Sequence, residues 1–128
     1  MNIAHTFLIL VCIQAAHSIE EVTFGLYRFL PPFQALGSAA LPVFATVNVL
    51  VVALGVWCYR YPVNTGAPSA IAWLWGWCVV ELANGIGHPT WSLLAGRYVP
   101  GTFTAPMLFA TAAVLAWQLT SSAGLRAR

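Results

Sequence analysis

The chain has 128 residues, of which 60% are hydrophobic and only 6% are charged, and its formal net charge is +2. Soluble domains have about a quarter of their residues charged, so this chain has too little polar surface to cover a water-soluble globule. The composition therefore predicts an integral membrane protein. The small net charge, without a cluster of basic residues, excludes a nucleic-acid-binding surface.

Four apolar segments follow one another along the chain, and each is close to the ~20 residues that a helix needs to cross a hydrocarbon core. Connections containing proline and glycine separate the segments. The expected fold is all-α, a polytopic membrane protein built as a single four-transmembrane-helix bundle that uses residues 1–128. The four segments are residues 3–19, 41–59, 68–87 and 103–119.

The first and third helices are expected to end near polar residues. The first helix should continue past its apolar part toward Phe29, because no proline interrupts the chain before Pro31. Pro89 should lie in the connection after the third segment, with His88 at the end of that helix. In a four-helix bundle of this order the first and third helices run in the same direction, so their C-terminal ends lie on the same side.

Four spans place both chain termini on one side of the membrane. Arg60, Arg126 and Arg128 would lie on that side, whereas Arg28 and Arg97 would lie on the other. An excess of positive charge marks the cytoplasmic side. We therefore expect an integral protein of a bacterial inner membrane whose termini are cytoplasmic.

Every acidic residue of the chain lies near a histidine, and the first such group is on the first segment. Glu20 follows His17 by three positions and Glu21 follows it by four, so both carboxylates lie on or beside the helix face of the imidazole. An acidic side chain at the centre of a membrane-spanning helix costs ~2.5 kcal/mol or more on insertion scales. Such residues generally mark a functional site.

The second group is on the third segment, where Glu81, Asn84 and His88 form one stripe over two helical turns. The parallel direction of the two helices predicts that both groups meet. Helical bundles build metal sites from imidazole and carboxylate groups on facing helices, and zinc, iron and manganese suit such ligands. We therefore predict a divalent metal, zinc or iron, bound by His17, Glu21, Glu81 and His88.

Other polar residues on this side have subsidiary expected roles. Glu20 is the expected general base or fifth ligand, and Asn84 is expected to orient a ligand or the substrate. Thr102, at the start of the fourth helix, is a candidate catalytic residue, although a helix N-cap explains it equally well. Arg28 and Arg97 either bind an anionic headgroup or phosphate, or they neutralise the acidic residues.

Three short motifs stand in order along the chain: His17-Ser18-Ile19-Glu20-Glu21, Asn84-Gly85-Ile86-Gly87-His88 and Gly101-Thr102-Phe103-Thr104. With them the chain resembles the HXXEE family of small integral membrane proteins, which is named for the first motif and also has Asn-x-x-x-His and Gly-x-x-Thr motifs. The resemblance extends over about residues 17–104. It implies a membrane enzyme without an assigned substrate, because the function of the family is unknown.

The sequence thus favours an intramembrane enzyme that depends on a metal and acts on a lipid or other apolar substrate between the first and third helices. Both a hydrolytic and an oxidative reaction fit these ligands. One alternative is a metal-free proton-relay or transport protein, in which the same side chains change charge state. Another is an accessory subunit of a larger membrane complex or a homo-oligomer. The metal content of purified protein separates the first two functions.

Overall fold

The computed structural model describes residues 2–126, with side chains as far as residue 121. Arg128 and the side chain of Arg126, on which the expected orientation partly depends, lie outside this range. All regular secondary structure within the range is helical, which confirms the all-α expectation. The helices are α1 (Ile3–Phe24), a short α2 (Pro31–Gln34), α3 (Ala40–Cys58), α4 (Ala70–Ala95) and α5 (Ala105–Arg126).

Three helical segments are long and apolar enough to cross a membrane: Ile3–Phe24, Gly37–Val63 and Ala70–Ala95. The fourth expected helix forms as α5, whose side chains are described over its apolar part, Ala105–Ser121. Within the residues whose side chains are described, three helices therefore meet both the length and the hydropathy of a membrane span. Many large apolar side chains lie exposed on the outside of the bundle, as contact with lipid requires.

The end of α1 differs from the expectation. Gly25 adopts a left-handed conformation with φ 75°, and its N–H closes the last turn of the helix. A separate 3-10 turn, Leu26–Phe29, follows. α1 therefore continues past its apolar part toward Phe29, as expected, but it does not reach the first proline, because a glycine cap ends it at Phe24.

The end of α4 also differs, because the helix continues through Pro89 and ends at Gly96. The prediction that Pro89 lies in a connection is wrong. A proline inside a helix removes one backbone hydrogen bond, a loss that packing against a neighbouring helix can offset. α4 packs closely along α5 here, since a side chain at Gly85 would collide with Phe109. His88 thus lies about two turns inside the helix.

Side-chain contacts confirm that α1 and α4 run in the same direction. The rings of Phe7 and Trp77 meet near the start of both helices, with centroids 5.9 Å apart. α1 also packs against α3 and α5. One apolar cluster fills the end of the bundle around Phe7, and a second, formed by Leu26, Phe44 and Val99, lies at the opposite end. The polar residues of α1 and α4 lie between these two clusters.

Candidate metal centre

Two histidines and one glutamate converge between α1 and α4. Glu21 Oε1 lies 3.2 Å from His17 Nε2 and 3.1 Å from His88 Nε2. The two imidazole rings are 4.9 Å apart between centroids, with an interplanar angle of 83°. One ligand atom from each of the three side chains lies within 4.8 Å of the other two. The expected meeting of the first and third segments is confirmed, and the group is close enough to bind a metal ion.

Thr104, at the start of α5, determines which nitrogen of His17 carries the proton. The Thr104 hydroxyl donates its one proton to Glu20 Oε2, at 2.6 Å. The same oxygen lies 2.7 Å from His17 Nδ1 and therefore accepts a hydrogen bond from it. A neutral His17 then has its proton on Nδ1 and a lone pair on Nε2, which is the nitrogen that faces Glu21.

The Nε2 atom of His17 is buried, and within the described part of the chain it has no hydrogen-bond partner. In a neutral His17, the lone pair of Nε2 would therefore face a carboxylate oxygen of Glu21 at 3.2 Å. A cation between them would satisfy both atoms, whereas leaving a buried polar atom unpaired is costly. Two imidazoles and one carboxylate also match the ligands of catalytic zinc and non-haem iron(II) sites. The donor set therefore fits a transition metal.

Gly101 brings the backbone of the connection between α4 and α5 directly against both imidazole rings. A Cβ atom at this position would lie 2.6 Å from His88 Nδ1 and 2.8 Å from His17 Cε1. Its φ of 98° is also a conformation that residues with a side chain rarely adopt. Glycine is therefore required here both by space and by backbone conformation.

Glu20 holds this connection in place. Its carboxylate accepts five hydrogen bonds: from the hydroxyls of Tyr98 (2.6 Å) and Thr104 (2.6 Å) and from the backbone N–H groups of Gly101 (2.9 Å), Phe103 (3.1 Å) and Thr104 (3.0 Å). Backbone N–H groups at the start of a helix favour a negative charge. Partial desolvation and the Glu20 carboxylate raise the pKa of Tyr98, so its hydroxyl stays protonated and donates. Glu20 thus caps α5 from another helix.

Glu81 is fully buried and lies outside the group of three. Its carboxylate accepts a hydrogen bond from Asn84 Nδ2 at 3.2 Å. One orientation of the Gln14 amide satisfies its neighbours on both sides: the nitrogen donates to the two Glu81 oxygens at 3.1 and 3.0 Å, and the oxygen accepts from Ser18 Oγ at 3.1 Å. Glu81 therefore forms a hydrogen-bonded bridge between α4 and α1.

The other predicted site residues do not contact the imidazole rings of the two histidines. The Thr102 hydroxyl donates to the backbone carbonyl of Val99 at 2.6 Å and lies 3.4 Å from the backbone carbonyl of His88. Arg28 Nε donates to the hydroxyl of Tyr27 at 3.1 Å, and the guanidinium of Arg97 lies 4.8 Å from the ring centre of Phe29. In the described residues neither arginine lies within ion-pair distance of a glutamate, so neither arginine neutralises an acidic residue.

Two residues that shape the site were missed from the sequence. Thr104 is the last residue of the Gly-x-x-Thr motif, and this motif could have identified Thr104 instead of Thr102 as the site residue. Tyr98 had no such signal, because its partner Glu20 lies 78 positions away along the chain. Long-range pairs of this kind follow from the docking of a connection, which residue spacing within one helix does not predict.

A cavity of about 370 Å³ opens beside the two histidines. The polar side chains that line it are Glu21, Asn84 and His88. The other lining residues are apolar or glycine: Leu26, Leu30, Phe44, Ala83, Gly87 and Trp91. One wall of the cavity thus belongs to the candidate metal centre, and the remainder suits an apolar molecule.

Comparison of the chain with protein-family models, with curated proteins and with solved structures finds no match. The resemblance to the HXXEE family therefore stays a prediction. Function is inferred below from the geometry of the residues alone.

Proposed function

We propose that this chain is an integral membrane enzyme that binds one divalent transition metal through His17, Glu21 and His88. The observation that carries this proposal is the convergence of three ligand atoms within 4.8 Å around a buried, unpartnered His17 Nε2. Two histidines and one carboxylate leave a coordination position free for water or substrate, as in catalytic zinc sites. Glu81, also predicted as a ligand, is not part of this proposed set.

The proposed reaction is the hydrolysis of an apolar substrate. A bound zinc ion would polarise the substrate and lower the pKa of a water molecule. The residues of the chain prepare the site for that ion: Thr104 keeps the lone pair of His17 on Nε2, and Glu20 orients the Thr104 hydroxyl. Asn84 presents its amide in the wall of the cavity, where it can bind a substrate oxygen. Iron in the same ligands would indicate an oxidative reaction instead.

The surroundings of the site support a membrane location. Three helices have the length and hydropathy of membrane spans, and the site lies between two apolar clusters. We infer a bacterial inner membrane and cytoplasmic termini from the arginine distribution. Residues of all three HXXEE-like motifs meet here, which supports an enzymatic role of the kind that the resemblance implies: His17, Glu20, Glu21, His88, Gly101 and Thr104.

Elemental analysis of protein purified in detergent tests the metal. We expect about one zinc or iron ion per folded chain. Glu21→Gln should lose the ion because the amide is a weaker ligand, whereas Glu81→Gln, a matched change at another buried carboxylate, should retain it. Monodisperse elution of both variants in size exclusion shows that they fold.

Two results would overturn the assignment. A wild-type protein that copurifies with no metal and does not bind added Zn²⁺ has no such site. Equal loss of the ion in Glu21→Gln and Glu81→Gln would return Glu81 to the ligand set. His17→Ala and His88→Ala should each abolish Zn²⁺ binding, and retention in either variant would remove that histidine from the site.

The fully buried Glu81 favours a second candidate function, a metal-free proton relay. Its carboxylate contacts polar side chains of both α1 and α4, and ionisable groups inside membrane spans commonly mark proton pathways. Proton flux in proteoliposomes separates the two functions. Flux that persists after chelation and is lost in Glu81→Gln supports the relay, whereas absence of flux rejects it.

A further inference from the structure

The cavity beside the candidate metal centre lies where α3 and α4 separate. The two helices are close near the connection that joins them, where the rings of Trp57 and Trp73 are 5.5 Å apart. At the opposite end the ring of Phe44 of α3 packs against Tyr27 and Phe33 of the first connection. Phe44 and Trp91 of α4 then lie on walls of the same cavity. The separation leaves space at the level of the two histidines.

The chemistry of the walls limits the head group that the cavity can bind. Its polar lining consists of one carboxylate, one amide and one imidazole, from Glu21, Asn84 and His88. None of the arginines whose side chains are described lines it. Proteins bind phosphate mainly with arginine or lysine. An uncharged head group with a carbonyl oxygen therefore suits this cavity better than a phosphate.

The volume limits the tail. At about 30 Å³ for each water-sized group, a cavity of about 370 Å³ holds on the order of a dozen non-hydrogen atoms. That is enough for a small head group and roughly eight carbons of one alkyl chain, and too little for two acyl chains side by side within the cavity. Gly87, which is exposed and also lines the cavity, marks its open side on α4.

We propose that the substrate is a single-chain lipid ester or amide, which enters from the bilayer between α3 and α4 and places its carbonyl beside the metal ion that Glu21 and His88 would hold. This inference rests on the proposed hydrolytic function. Hydrolysis breaks the bond between the acyl carbon and the ester oxygen or amide nitrogen. The hydroxyl of water joins the acyl carbon and the second proton goes to the leaving group, so that no oxidant or reductant is needed.

Two glycines of α4 provide a matched pair of variants. A Cβ atom at Gly87 or at Gly76 would have no other atom within 4 Å, so both positions accept a larger side chain without a collision. They are about three turns apart and lie on a similar face of the helix. Gly87→Leu would fill the cavity, whereas Gly76→Leu would add the same side chain to the helix away from it.

The experiment uses protein reconstituted in lipid nanodiscs and loaded with Zn²⁺. The probe is a decyl chain with an uncharged methyl ketone head group and a photoreactive diazirine near the end of the chain. After irradiation, mass spectrometry should find the probe on peptides that contain Phe44 or Trp91. Labelling should fall at least about tenfold in Gly87→Leu and stay unchanged in Gly76→Leu, while both variants keep their zinc.

The outcomes separate the substrate from the metal. Zinc binding with labelling that Gly87→Leu does not reduce overturns the cavity as the substrate site, and so does equal loss in both glycine variants. Decyl phosphate that competes as well as the unlabelled ketone overturns the uncharged head group. Labelling that depends on Gly87 in a protein that binds no zinc would retain the cavity and reject the metal enzyme.

Discussion

Replacement of Thr104 by valine tests whether the connection between α4 and α5 prepares the metal site. Valine keeps the shape of threonine and removes the hydroxyl. The change eliminates the hydrogen bond from His17 Nδ1 (2.7 Å) and the one to Glu20 Oε2 (2.6 Å), but it alters no proposed ligand. His17 would then be free to carry its proton on Nε2, where it competes with a metal.

The expected loss follows from the role of residues that orient a ligand. Removing a hydrogen-bond partner of a metal-binding histidine typically costs 10–100-fold in affinity, which is about 1.4–2.8 kcal/mol. The Thr104 hydroxyl also forms one hydrogen bond to a carboxylate, and such bonds contribute ~1.5–3 kcal/mol to stability. We therefore expect Zn²⁺ affinity to fall by roughly 10–100-fold and the protein to become less stable by a similar amount.

Competition for Zn²⁺ with a chromophoric chelator measures the affinity in detergent. Thr102→Val is the matched control, because its hydroxyl contacts only backbone carbonyls, of Val99 at 2.6 Å and of His88 at 3.4 Å, and no proposed ligand atom. Unchanged affinity in Thr104→Val would refute the proposed orientation of His17. Equal losses in the two variants would show that the effect is a general loosening of the connection.

Three further predictions concern the same region. Glu20→Gln should lower the free energy of unfolding by ~3 kcal/mol or more, since an amide cannot accept all five hydrogen bonds. Chemical unfolding in mixed micelles measures this free energy, and an unchanged value would contradict the capping role. Gly101→Ala should abolish Zn²⁺ binding because its Cβ would lie 2.6 Å from His88. The control is Gly96→Ala, which should retain binding because Gly96 also has a positive φ but has open space around it. Loss of binding in both variants would implicate backbone strain alone. Acidification should release Zn²⁺ because protons compete for its histidine and carboxylate ligands. Equilibrium dialysis over a pH series measures this release, and the absence of release would argue against this ligand set.

The helices were predictable because hydropathy alone places them, but two of their ends were not. Gly25 ends α1 by adopting a left-handed conformation, which the residue type permits but does not impose. Pro89 stays inside α4 because close packing on α5 holds the helix there. Both outcomes depend on tertiary packing, which takes precedence over the local preference of one residue.

The approach of His88 to His17 and Glu21 was predictable from helix spacing and helix direction. His17 and Glu21 are four residues apart on one helix, and His88 approaches them because α1 and α4 are parallel. The hydrogen bonds of Glu20 were not predictable, because its five donors all come from the connection between α4 and α5. Spacing along one helix predicts neighbours on that helix, and it contains no information on how a distant connection docks.

The adjacent acids of the first motif suit two different tasks because consecutive residues of a helix point about 100° apart. Glu21 faces α4 and contacts both histidines, whereas Glu20 faces the start of α5 and binds its backbone. Thr104 connects the two tasks, since its hydroxyl contacts both Glu20 and His17. Docking of the connection on α1 therefore also orients the imidazole of His17. The same contacts that complete the fold at this end of the bundle thus orient the atoms that could bind a metal.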